Sequence, residues 1–138
     1  FSNEHGIEER PLVQALEENL EGSRAWDPQK WSVSPFAYLE RGRYIDYLEP
    51  WFERFTPTMH IRFLDDNVRE GLEIATLYRA LGVDAEFRPD DEGRRVNESA
   101  GSVPELDGAL VARLRGYFHD SDRRLAARLG REVPWATS

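Results

Sequence analysis

Tyr44-Ile45-Asp46-Tyr47-Leu48-Glu49-Pro50-Trp51-Phe52-Glu53-Arg54-Phe55 is the stretch on which the reading of this chain turns. Tyr44, Leu48, Trp51 and Phe55 recur at spacings of four, three and four, which sets them on one helix face and predicts a core-facing stripe. The helix is expected to begin at Phe36 and to carry Gly42 inside it. Pro50 removes one backbone donor, so a kink or break is expected near Ile45 and Asp46. Thr56-Pro57-Thr58 ends it. Residues 59–64, Met-His-Ile-Arg-Phe-Leu, then read as a short core strand. Asp66 or Asn67 caps a further helix from about Val68, which buries Ile74, Leu77, Tyr78 and Leu81 and stops at Gly82.

Outward from this centre the pattern is mainly helical. Upstream, residues 11–20 predict an amphipathic helix with Pro11 in its first turn and Leu12, Leu16 and Leu20 in line. Residues 24–36 are irregular, with Asp27-Pro28 and Ser34-Pro35 as turn signals. Trp26 and Trp31 make that stretch either a loop pinned to the core or part of a binding-site wall. Downstream, residues 87–104 are polar and rich in turn formers, a loop long enough to be functional or mobile. Residues 106–118 read as a helix with Leu110, Leu114, Tyr117 and Phe118 inward. Asp120-Ser121 is expected to cap a last helix through Leu125 and Leu129, ended by Gly130. Val133-Pro134-Trp135 closes as an apolar tail. A helix–strand–helix order implies an α/β layer with its strand in a parallel sheet, and one strand cannot make a sheet. The 138 residues form one domain that is expected to be the C-terminal portion of a larger one, and the absence of an initial methionine agrees with something upstream.

Composition narrows the function. Hydrophobic residues make up 40% and charged residues 32%, an ordinary globular balance. No apolar run approaches a membrane span, and the first residues do not form a secretory signal. The net charge of -8 argues against nucleic acid or an anionic membrane surface as partner, since both demand a basic face. Cysteine is absent, which excludes disulfides, thiolate metal sites and a cysteine nucleophile, and fits a reducing, cytoplasmic compartment. Lys30 is the sole lysine beside seventeen arginines, a bias that suggests a GC-rich bacterial coding sequence.

The catalytic motifs with a local signature are missing. There is no Gly-x-x-x-x-Gly-Lys-Ser/Thr loop, no Gly-x-Gly-x-x-Gly and no Gly-x-Ser-x-Gly elbow. His5, His60 and His119 lack partners at metal-ligand spacing and read as solvated or core histidines, with His119 at a helix end. Asp65-Asp66 reads as helix-capping acid rather than a magnesium site, and Asp90-Asp91-Glu92 as a solvated run. What remains is basic. Arg41 and Arg43 flank Tyr44, and Arg94-Arg95 precede Asn97 and Ser99 in the long loop. Arginines two apart on a helix are ordinary surface charges, while the loop residues are compatible with an anion clamp.

The order of these elements adds what no single motif carries. Arg41-Gly42-x-Tyr44-x-x-x-Leu48-x-x-Trp51-x-x-x-Phe55, a strand, an acidic turn, a helix ending Tyr78-Arg79-Ala80-Leu81-Gly82-Val83, then Val96-Asn97-Glu98-Ser99, resembles the C-terminal half of sulfotransferases that use 3'-phosphoadenylyl sulfate (PAPS). The likeness is to the bacterial and heparan-sulfate-type branch. It runs from residues 11–20, similar to that family's first helix here, to Gly130-Arg131-Glu132-Val133-Pro134-Trp135, similar to its ending. The resemblance implies the mainly helical C-terminal part of a P-loop-like α/β fold, with about one core parallel strand. It implies sulfuryl transfer from PAPS to a hydroxyl or amine of a small-molecule, glycan or lipid acceptor, with adenosine 3',5'-bisphosphate (PAP) as product and no metal. Arg94, Arg95, Asn97, Ser99 and Gly101 would then lie in the cofactor-side loop, and Arg41, Arg43 and Tyr44 would face the acceptor cleft.

The departures define what this chain lacks. The family's N-terminal phosphosulfate loop and the element that holds the 3'-phosphate are absent, and Phe1 would fall just after that element's serine. No catalytic base can be assigned, because in this branch it lies near the missing loop. The family's late basic loop falls at Ala100-Gly101-Ser102-Val103-Pro104, where both basic residues are replaced; Arg94 or Arg95 would have to substitute. The fragment alone is expected to be inactive, its partner being the missing N-terminal half. A non-catalytic helical binding or docking module with a sulfotransferase-like half-fold is the alternative.

Overall fold

The computed structural model describes residues 6–55, 58–63, 74–87 and 104–136. Four α-helices occur among them: α1 (Leu12–Glu21), α2 (Tyr44–Phe55), α3 (Ile74–Leu81) and α4 (Gly108–Leu129). A single 3-10 turn, Glu40–Gly42, precedes α2. α4 is the axis of the packing, with α1 and α2 both laid against it.

α4 is continuous through the position where the sequence predicts a break. Asp107 is its N-cap, and its carboxylate accepts from the Leu110 amide at 2.7 Å, leaving no need for a second start. At the expected second cap, the Ser121 hydroxyl instead donates to the Phe118 carbonyl at 2.9 Å, while Asp120 pairs with Arg123 one turn on. Ser121 is buried, so its hydroxyl is satisfied within the helix. His119 therefore stands in mid-helix and not at an end. Gly130 then adopts φ 66°, and the Arg131 amide reaches back to the Ala126 carbonyl, a left-handed stop that turns the tail onto the core.

α2 departs from expectation in both its start and its roll. Residues 36–43 form turns and the 3-10 segment, so the helix starts at Tyr44 and the predicted break falls at Arg43, not inside the helix. Gly42 is held against α4, where an added Cβ would lie 2.7 Å from Phe118 Cε1. Pro50 stays inside α2. The buried row is Ile45 and Phe52, two turns apart; Tyr44, Trp51 and Phe55 are about half exposed, at 50%, 57% and 45%. Leu48, on the border between the two rows, is half-buried. This roll also brings the acidic side of α2 to α4. Asp46 and Glu49 reach Arg124 of α4 at 2.9 Å and 2.6 Å, and the roll that makes these pairs turns Ile45 and Phe52 inward. Such exposed pairs contribute at most about 1 kcal/mol each, so they accompany this orientation while burial of Ile45 and Phe52 supplies most of its stability.

The core that results is Ile45, Phe52, Leu125 and Val133, with Met59, Ile61, Phe63, Leu129 and Trp135 packed around it. Residues 59–63 are not a strand. Burial alternates along them, with Met59, Ile61 and Phe63 half-buried and His60 and Arg62 exposed, but no ladder partner exists among the described residues. The sequence predicts a short core strand here; the alternation has a strand's period of two, and the hydrogen-bonded neighbour that would make it a strand is what is missing among the described residues. Residue 64 and the expected start of the next helix lie outside the described residues. α3 closes on Gly82 at φ 71°, as predicted, although Leu81 is exposed rather than buried.

A second, smaller packing unit surrounds α1. Pro11 caps the helix from outside, and Ala15 and Asn19 are its buried row instead of the predicted leucines; Leu12 is exposed. The reason is a polar anchor. Asn19 Oδ1 accepts from the Leu39 amide at 2.9 Å, which ties residues 36–39 to α1 and buries Phe36 and Leu39. Trp26 and Trp31 are each half-buried in the intervening loop. Arg113 of α4 joins this unit through Glu21 at 2.7 Å.

Candidate functional site

Trp135 organises the cleft that the tail closes. Its ring lies 5.8 Å from that of Tyr44 and 5.3 Å, edge-on, from that of Phe63. The resulting cleft of about 570 Å³ is lined by Tyr44 and Leu48 of α2, by residues 60–63, by Leu125 of α4 and by Trp135. His60 and Arg62 supply its polar side. The guanidinium of Arg131 sits 4.6 Å over the Phe63 ring, on the tail just past α4. Arrangements of this kind suit a ligand with an apolar or ring face and a polar edge.

A larger, open cleft of about 1220 Å³ runs along α4 on the other side of Trp135. Here the Trp135 indole N–H donates to Asp122 Oδ2 at 2.8 Å. Burial pushes the Asp122 carboxyl above the ordinary carboxylate range, and the indole hydrogen bond and nearby His119 pull partly back. Sequence reading missed this pair. Its one signal was a tryptophan in the tail, since a partly buried indole seeks an acceptor.

The residues singled out beforehand fall apart into three places. Tyr44 lines the smaller cleft. Arg41 donates instead to the Ser34 carbonyl at 2.6 Å, and Arg43 stands 2.9 Å from Asp46, an ion pair without hydrogen-bond alignment. Neither arginine lines the cleft that Tyr44 faces. Arg94, Arg95, Asn97, Ser99 and Gly101 lie outside the described residues, as do Asp65-Asp66 and Asp90-Asp91-Glu92. Among the described residues no group of three His, Asp or Glu could hold a metal ion, and no helix is long and apolar enough to cross a membrane.

No protein-family model, curated protein or solved structure matches the chain.

Proposed function

We propose that this chain is the acceptor-side, C-terminal part of a PAPS-dependent sulfotransferase. The observation that carries the reading is the placement of Trp135. Three separated parts of the resemblance, the Tyr44 helix, the apolar segment behind it and the Pro134-Trp135 ending, meet at that one indole. In this reading Tyr44, His60 and Arg62 border the acceptor, and the cleft's aromatic walls take the ring or chain that bears its hydroxyl or amine. Bound PAPS would supply an activated sulfuryl group for transfer to the acceptor oxygen or nitrogen, with PAP as the leaving product. A base in the N-terminal half takes the acceptor proton.

Arg94 and Arg95 are proposed to grip the cofactor's phosphates, with Asn97, Ser99 and the Gly101 backbone as further donors. Replacing both arginines by alanine in the longer gene product is expected to weaken PAP binding at least about tenfold, since each charge-assisted contact contributes about 1.5–3 kcal/mol. Isothermal calorimetry reads this directly; unchanged affinity removes both residues from the site.

A helical docking module is the second reading, and one observation favours it. Every regular element among the described residues is helical. The longer gene product separates the two, because a docking module would bind neither PAP nor PAPS.

A further inference from the structure

The smaller cleft combines two kinds of wall. Its apolar side is largely aromatic, made by Tyr44, Phe63 and Trp135. Its polar side is His60 and Arg62, two positions apart on one segment and both exposed. Among the described residues no Asp or Glu lines it, although the chain carries 26 acidic side chains against 18 basic ones. Nor does Arg62 hold a carboxylate among the described residues, whereas Arg10, Arg43, Arg113, Arg123 and Arg124 each pair with one. A guanidinium left open at the rim of an aromatic cleft offers a planar fork of donors to a carboxylate.

From this combination we infer that the cleft binds a planar aromatic monoanion, a ring system bearing one carboxylate. The ring lies among Tyr44, Phe63 and Trp135, and the carboxylate meets Arg62 with His60 beside it. Three aromatic walls by themselves would equally suit an organic cation. Charge decides against one. His60 and Arg62 make the rim basic, and the Arg131 guanidinium already lies 4.6 Å over the Phe63 ring. A neutral ring would leave the Arg62 donors to water and take no advantage of them. Size agrees, since about 570 Å³ is the volume of a small-molecule site and accommodates two fused rings. The inference goes beyond the sulfotransferase reading and does not rest on it, because every group that holds the anion belongs to this chain. Where both hold, the acceptor carries such a carboxylate beside its hydroxyl or amine.

Calorimetric titration of the 138-residue chain with 2-naphthoate tests this, beside its neutral counterpart 2-naphthamide and the cation 2-naphthylmethylammonium. Naphthoate is expected to bind with a dissociation constant below about 1 mM, and the amide and the cation at least about tenfold more weakly. Arg62→Met should weaken naphthoate by about tenfold and leave the amide unchanged. Arg54→Met removes an exposed arginine of α2 that does not line the cleft, and it should change neither. Tyr44→Leu, at a half-exposed position that leaves the core intact, should weaken naphthoate and the amide alike. No binding of naphthoate at millimolar concentration overturns the inference. Equal affinity for the acid and its amide, or preference for the cation, also overturns it. Equal losses at Arg54 and Arg62 contradict it too, because the anion would then be answering net charge and not this cleft. The titration contains neither PAPS nor PAP, so its failure leaves sulfuryl transfer standing, and a failed transfer assay leaves the anion site standing.

Discussion

Ile45→Ala is expected to destabilise the chain by about 3–4 kcal/mol in urea unfolding, whereas Trp51→Ala should cost less than about 1 kcal/mol. The two positions lie on the same helix and would exchange ranks if the predicted aromatic stripe were the core. Ile45 is 1% exposed and packs with Phe52, Leu125 and Val133, so its truncation removes apolar contact and leaves a cavity that α4 restricts from collapsing. Trp51 is 57% exposed and touches chiefly Phe55, its neighbour on the open face. Leu125→Ala should match Ile45→Ala, because Leu125 is equally buried and faces it across the α2–α4 contact. A larger loss at Trp51 than at Ile45 would show that α2 is rolled the other way.

The second large effect is a pH dependence seated at Glu8. Its carboxylate is buried and accepts from Arg10 through Nε at 2.9 Å, Nη2 at 2.6 Å and the backbone amide at 3.1 Å, and from the Tyr38 hydroxyl at 2.8 Å. Led by the Arg10 hydrogen bonds, these partners hold the carboxyl at a pKa of about 2, against an ordinary 4.5, although burial opposes them. A depressed folded pKa means the unfolded chain binds the proton more readily. The stabilisation is therefore complete above about pH 4.5 and is lost as pH falls toward 2. At roughly 1.4 kcal/mol per unit, the depression from 4.5 to about 2 amounts to about 3 kcal/mol. Glu8→Gln should remove most of the acid-side slope between those pH values and lower stability at neutral pH. Thermal unfolding across that range measures it; an unchanged slope would place the acid sensitivity elsewhere. Arg10 also pairs with Glu18 and lies over the Phe36 ring, so the same network fastens α1 to residues 36–39.

What could be read from the sequence followed a simple division. Local signals held: the helix at residues 12–21, the helical nature of 44–55, and the stops at Gly82 and Gly130. Each depends on residues within one or two turns. The failures depend on contacts made at long range. Leu125 and Val133 lie about 80 positions beyond Ile45, and packing against them, together with the Arg124 pairs to Asp46 and Glu49, selects between apolar rows that periodicity could not choose between. Asn19 reaches 20 residues to Leu39 and thereby replaces the leucine row of α1. At Asp120-Ser121, a competent capping pair was overruled because the preceding helix was already capped and Ser121 could bond backward. Of the proposed site, Tyr44 was singled out by the resemblance and not by its spacing, which placed it in the predicted core stripe; the closure of its cleft by Trp135 had no local signal.

Sulfuryl transfer itself is the claim most directly open to measurement. Incubating a protein that includes the proposed N-terminal half with PAPS labelled in its sulfuryl group and a panel of phenol, glycan and lipid acceptors should release PAP in step with label appearing on one acceptor class. The 138-residue chain alone should give neither. If the folded longer product binds neither PAPS nor PAP and turns over no label, it is not a sulfotransferase.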